Sequence, residues 1–212
     1  MKFWFLFSLF FLTGLTFTLP EGWSLKKEKG NIKVYTRTGN SSSIKELKIV
    51  MRINGSLASL VAALDDVEEH PAWVYKCSNA KRLDIASTDG YYYYVAVDFP
   101  FPAVDRDVVI FTSMEYDEKS NTVITHSVAT PDEFPLQDGY IRVRHFNSKY
   151  EISARVDGML DVVYEMFTDP GGHIPAWMVN MAIAKGPIKT MQNLEIQAQK
   201  AEYANALLEE AQ

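Results

Sequence analysis

The stretch from residue 80 to residue 168 reads almost wholly as β-strand, and it constrains the fold more than any other part of the chain. The candidate strands are 80–86, 91–98, 106–116, 122–129, 140–146, 149–156 and 159–167. Asp89-Gly90, Asp138-Gly139 and Asp157-Gly158 lie between them as turn dipeptides, residue pairs that adopt the positive φ angles tight turns need. In 149–156 the alternation is clean. Tyr150, Ile152, Ala154 and Val156 are expected inward, with Lys149, Glu151, Ser153 and Arg155 outward. Consecutive strands joined by short turns make an antiparallel meander.

Upstream, 31–37 and 44–53 alternate in the same way on either side of a turn at 39–43. Asn54-Gly55-Ser56 then looks like a helix start, with Leu57, Leu60, Val61 and Leu64 at helical spacing. The acidic run 65–70 reads as a second short helix ended by Pro71, and 21–29 as a short helix near the start. Downstream, Asp169-Pro170-Gly171-Gly172 breaks the sheet, and Pro175 suits the first turn of a helix. Trp177, Met181, Ala184, Ile188 and Met191 form a helical stripe, with a kink or break expected at Gly186-Pro187. A more polar helix over 192–208 follows, with Leu194, Ala198, Ala201, Ala204 and Leu208 on one side. The class is α+β.

The N-terminus carries a different signal. Met1-Lys2 precedes an almost wholly apolar run over 3–17. That is the layout of a secretory signal, and it is shorter than the roughly 20 residues of a spanning helix. The expectation is an exported protein, periplasmic or extracellular, with residues 1–18 a signal peptide and 19–212 one domain. An uncleaved signal would leave it tethered to a membrane. The net charge of −6 argues against nucleic acid as a partner. Cys77 is the single cysteine, so no internal disulfide can form, and no CxxC or His/Cys cluster has zinc spacing. Asp98, Asp105 and Asp107 lack the spacing of a calcium loop. No metal or cofactor is expected.

Four places, in order, resemble the START family, the lipid-transfer domains related to steroidogenic acute regulatory protein. They are Trp23-x-Leu25 followed by Lys27-x-Lys29-x-x-Ile32-x-Val34-Tyr35, then Trp73, then Phe99-Pro100-Phe101-Pro102-x-x-x-Arg106-Asp107, then Gly171-Gly172-x-Ile174-Pro175-x-Trp177-x-Val179-Asn180. The match spans about residues 21 to 205, and the chain would be a secreted, single-domain member of bacterial type. Asp105 departs from the small residue the family often places before its Arg-Asp pair. The resemblance implies a helix-grip fold, in which a curved antiparallel sheet wraps a long C-terminal helix around a lipid cavity. It also implies that this helix and neighbouring loops act as a lid.

Under that resemblance the candidate ligand-binding residues are Trp73, Tyr92, Tyr94, Arg106, Tyr164, Trp177, Met178, Met181 and Ile188. Ordinary core packing accounts equally well for the apolar ones. In the run 91–94 two tyrosines should face inward and two outward. Arg106 either orients a sterol hydroxyl or lipid headgroup, with a carboxylate such as Glu165 as partner, or makes a structural ion pair with Asp98, Asp105 or Asp107. The leading expectation is a non-enzymatic monomer that carries a phospholipid, fatty acid or sterol and touches membranes transiently. The alternative is a cyclase or dehydratase acting on a polyketide-like substrate, with His126, His145, Glu165 and Arg106 as its acid–base candidates. A third reading is a lipid sensor that contacts a protein partner through 192–212.

Overall fold

The structure, a computed structural model, describes residues 22–39 and 42–208. The signal-like segment 1–18 lies outside the described residues. Ten strands form one sheet. They are β1 (Ser24–Lys29), β2 (Ile32–Thr38), β3 (Lys45–Asn54), β4 (Cys77–Arg82), β5 (Tyr91–Val97), β6 (Asp105–Asp117), β7 (Thr122–Ala129), β8 (Tyr140–Arg142), β9 (His145–Ala154) and β10 (Met159–Asp169). The order across the sheet is β1-β2-β3-β10-β9-β7-β6-β5-β4. All pairs along that path are antiparallel, and β8 adds in parallel to the start of β6. The helices α1 (Leu57–Asp65), α2 (His70–Trp73), α3 (Ala176–Ala182) and α4 (Lys185–Gln197) complete the fold. The architecture is the expected helix-grip α+β arrangement.

Local chemistry explains the elements. Ser56 caps α1: its hydroxyl accepts from the Ser59 N–H at 3.0 Å, a contact worth about 1 kcal/mol. The alternation in β2 and β3 buries Ile32, Val34, Leu47, Ile49, Met51 and Ile53 on the side facing the helices. Ile188, Met191 and Leu194 of α4 join them in one core with Leu60 of α1. Burying each large side chain contributes roughly 1.5–3 kcal/mol.

Several expectations need correction. The segment expected as a helix over 21–29 is strand β1, because Gly30, at φ 60°, turns the chain so that Ser24 pairs with Thr36. Trp23 is buried there with the Arg37 guanidinium 4.5 Å and the Lys48 ammonium 4.9 Å from its ring centroid. Pro71 lies inside the first turn of α2 and does not end a helix. The strand expected over 140–146 stops at Arg142, whose guanidinium turns to Asp107, and a longer strand starts at His145. Val156 is fully exposed in the β9–β10 turn, not inward.

The C-terminal helix is broken at Ile183–Ala184, two residues before the expected Gly186-Pro187. Pro187 then falls in the first turn of α4, where a missing N–H leaves no bond unmade. The polar helix expected to Leu208 ends at Gln197, followed by one 3₁₀ turn at Ala201–Tyr203.

Candidate functional site

Opposed residues in an antiparallel ladder share a face, so the register fixes the inner wall of the sheet. One row runs Tyr91, Thr112, Ser127, Ser148 and Met166 across β5, β6, β7, β9 and β10. The next runs Met114, Thr125, Tyr150 and Tyr164. Tyr93 pairs with Ile110, Val95 with Val108 and Val97 with Arg106. All of these side chains line one cavity of about 1320 Å³. Its other walls come from α1 and α2 through Val61, Leu64, His70 and Trp73, and from α3 and α4 through Met178, Met181, Pro187 and Met191. The loop from Phe99 to Val104 and the turn at Pro170 complete the rim. Drug-sized ligand pockets run to about 300–1000 Å³, so this one has room for a larger guest.

Two ties hold the helical wall to its surroundings. The Asn193 side-chain amide donates to the Trp73 carbonyl at 2.9 Å, and the Tyr75 N–H donates to the Thr190 hydroxyl at 3.0 Å. By contrast α3 buries no residue. Its Asn180 donates to the Ser43 carbonyl at 2.9 Å and accepts from the Lys45 N–H at 2.8 Å.

The polar groups of the cavity are mostly neutral. His70 is buried, and its Nε2–H donates to the Leu64 carbonyl at 3.0 Å. Burial holds its pKa below the usual imidazole value, against the pull of that bond and of Asp66, Glu68 and Asp65. Burial pushes the Tyr93 phenol up to about 12, although the Thr112 and Ser127 hydroxyls beside it act the other way. Tyr150 and Tyr164 are raised for the same reason, with ring centroids 4.3 Å apart. Four tyrosines here stay protonated at any physiological pH, Tyr91 included.

Arg106 sits at the rim, 3% exposed. Its Nε–H donates to the Pro170 carbonyl at 3.0 Å and one Nη–H to the Gly171 carbonyl at 3.1 Å, while the other Nη donates to Val104. The guanidinium carbon lies 4.4 Å from the Phe99 ring centroid. Burial pulls its pKa down, with Asp105 opposing. Among the described residues no carboxylate forms an ion pair with it: Asp105 accepts from the Phe99 N–H and Asp107 pairs with Arg142. Glu165, the proposed partner, pairs with Lys48 at 2.8 Å and does not line the cavity. Arg106 therefore ties β6 to the turn that launches α3.

Of the other expected site residues, Trp73, Tyr164, Met178 and Met181 line the cavity with Arg106. Four do not. Tyr92 packs on Phe111 and Tyr94 on Phe134, on the opposite face of β5, because the register that turns Arg106 inward turns Tyr91 and Tyr93 inward with it. Trp177 is 64% exposed on α3, and Ile188 is buried in the main core. His70, Tyr91, Tyr93 and Tyr150 were missed as lining residues. The Arg106–Val97 pairing would have identified the first two tyrosines. Of the candidate acid–base groups, His126 and His145 are exposed, and the register sets them against Lys149 and Asp169, not against each other.

The comparisons agree with this geometry. The family model described as START domain matches residues 19–201. An uncharacterized protein of Pseudomonas aeruginosa is 32% identical over 182 residues, covering 86% of this chain and 89% of its own. The phosphatidylcholine transfer protein of Rattus norvegicus is 29% identical over 171 residues, covering 77% of this chain and 78% of its own. The crystal structure of a STAR-related lipid transfer protein fragment from Xanthomonas axonopodis superposes with a TM-score of 0.78 at 27% identity, over 85% of this chain and all of that one. Human StAR-related lipid transfer protein 5 has the same fold, with a TM-score of 0.73 at 14% identity over 84% of this chain and 87% of its own. With a family model matched over residues 19–201 and a relative at 32% identity, the chain belongs to the START domain family.

Proposed function

We propose that the protein holds one lipid in the cavity and carries it between membranes, without chemical change to the lipid. The observation that carries this reading is the cavity of about 1320 Å³ with its largely apolar wall. Each methylene buried there gains about 0.8 kcal/mol. A chain of about sixteen carbons thus gains roughly 13 kcal/mol before the costs of ordering. The volume favours a two-chain phospholipid over a fatty acid or sterol, and the name of the rat relative points the same way. Asp65 and His70 both line the cavity, but the His70 Nε2–H donates to the Leu64 carbonyl and no histidine among the described residues bonds a carboxylate, so no observation favours a cyclase or dehydratase.

Transient membrane contact belongs to the same reading. Phe101 (96% exposed), Val104 and Met181 bring exposed apolar surface to the cavity lining, and Trp177 is exposed on the same short helix as Met181. Such a cluster suits the interfacial zone of a bilayer, where aromatic residues are favoured. The apolar run over 3–17 supports export, so that the work is done outside the cytoplasm, by a monomer. The test is native mass spectrometry of the purified chain, combined with transfer of labelled phosphatidylcholine between vesicles. A co-purified lipid at one per chain is expected. A chain that neither retains nor transfers any lipid would sink the proposal.

A further inference from the structure

Exposed residues line the cavity at both of its ends. One end is the rim, where Phe101, Val104 and Met181 are exposed. The other lies where α1 finishes and β5 starts, and exposed Asp65 and Asp89 line it with Gly90 and Tyr91. Tyr91 opens β5 and Val97 closes it beside Arg106, so the two ends are about 20 Å apart at roughly 3.3 Å per residue. Arg82 stands across the far end. Its guanidinium carbon lies 3.8 Å from the Tyr91 ring centroid, and one Nη lies 3.0 Å from both the carboxylate and the carbonyl of Asp65. Its backbone N–H donates to the Glu68 carboxylate at 3.0 Å. Burial, and after it the Asp65 carboxylate, push the Tyr91 phenol up. The opposite lip is fixed, because a Cβ at Gly90 would run into the Thr112 carbonyl. The Arg82–Asp65 pair is the part that can open: its side chains are 41% and 51% exposed, and an exposed pair is weak.

The two ends differ in chemistry. The rim presents apolar side chains, whereas the far end presents carboxylates, which are costly to bring into a bilayer. On the carrier reading the rim meets the membrane and the far end stays in water. A lipid that leaves through the rim vacates about 1320 Å³, the room of roughly forty waters at about 30 Å³ each. Hydroxyls of Tyr93, Thr112 and Ser127 on the wall can bond water, so the space fills instead of standing empty. A rim sealed on a bilayer and occupied by the departing chains gives that water no path. We propose that the far end is a water gate, latched by Arg82 and Asp65 over Tyr91, through which water enters as lipid leaves and is expelled as lipid enters. This rests on the lipid-carrier reading and adds to it an opening for water alone.

The test plugs the gate reversibly. Asp89→Cys puts a thiol on an exposed position, whereas the natural Cys77 is buried and its thiol is pushed up to about 11 by that burial, which leaves it unreactive. The full-length variant, loaded with labelled phosphatidylcholine, is modified at that thiol with a bulky methanethiosulfonate reagent. Release of the lipid to dioleoylphosphatidylcholine vesicles is timed before and after dithiothreitol removes the adduct. The plugged protein should release its lipid severalfold more slowly and recover on reduction, with one lipid per chain retained at equilibrium in both states. Arg82→Ala should instead speed release roughly two- to fivefold, the worth of an exposed ion pair. A release rate that ignores the plug, or a plug that lowers the lipid retained, would overturn the gate, and Arg82→Ala no faster than the wild type would overturn the latch. Each of these leaves the carrier reading standing. A chain that takes up no lipid, plugged or not, would overturn the carrier reading itself. The same molecules are compared with and without the adduct, so a folding defect cannot imitate the result.

Discussion

The Asp107–Arg142 pair offers the sharpest test of how the fold is held. Both side chains are almost fully buried, at 1% and 3% exposure. Two parallel bonds of 2.9 Å join them, from Arg142 Nε and Nη2 to the two carboxylate oxygens. The remaining donors of Arg142 go to the Pro131, Phe134 and Pro135 carbonyls, so one guanidinium fastens the 131–135 loop and β8 onto β6. Asp107→Asn keeps the shape and removes the charge. It strands a buried cation among carbonyls, which should cost about 3–5 kcal/mol. That is about a fifth or more of a typical domain's stability of about 5–15 kcal/mol. With a urea slope of about 2 kcal/mol per molar, the unfolding midpoint should drop by roughly 1.5–2.5 M. The double variant Asp107→Leu with Arg142→Met removes both charges, and should recover most of that loss. The measurement is urea unfolding of the wild type and both variants, followed by tryptophan fluorescence and far-ultraviolet circular dichroism. A loss below about 1 kcal/mol for Asp107→Asn, or a double variant no better than the single, would refute the argument that an unpaired buried charge is the source of the cost.

Other expectations follow from the rim, the core and the buried histidine. Arg106→Met should lower stability by about 1–3 kcal/mol, as its bonds to Pro170 and Gly171 are lost, and should speed lipid release in a vesicle assay. Phe101→Ser with Trp177→Ala should slow transfer between vesicles severalfold and leave the melting temperature nearly unchanged, since both side chains are exposed. Ile188→Ala, by contrast, should cost about 2–5 kcal/mol in chemical unfolding because Ile188 belongs to the core. His70 has a depressed pKa in the folded state, so its contribution to stability is complete above about pH 6.5 and is lost as the pH falls through the folded-state value. Unfolding curves at pH 7.5 and 5 should therefore show a larger acid loss for the wild type than for His70→Phe.

Much of the fold was legible because alternation and turn dipeptides are local signals. The strand over 122–129 is observed as expected, and Ser56 caps its helix where the spacing of Leu57, Leu60 and Leu64 places the start. Errors arise where a distant partner decides. Pairing of Ser24 with Thr36 makes a strand of a polar segment that local pattern reads as helix. The strand through Arg142 stops there, where its side chain is bonded to Asp107, 35 residues away. The site shows the same limit. A run of four tyrosines cannot reveal which two face inward until the loop over 98–104 sets the Val97–Arg106 register. Trp177 and Met181 share a helical stripe with Ile188, yet across the break at Ile183–Ala184 they are exposed and Ile188 is in the core.

That break divides the last helix into two pieces held by different contacts. α4 is moored by Ile188, Met191 and Leu194, and by the bonds of Thr190 and Asn193 to the stretch around Trp73. α3 hangs on the side chain of Asn180 and on the turn that Arg106 grips. Releasing those few contacts uncovers the Met178 and Met181 edge of the cavity at the cost of a small sub-global opening, while the core keeps its full cooperative stability. Guest exchange and unfolding are in this way separate barriers, so selection can tune how quickly a lipid leaves by altering a handful of rim contacts without touching how firmly the domain is folded.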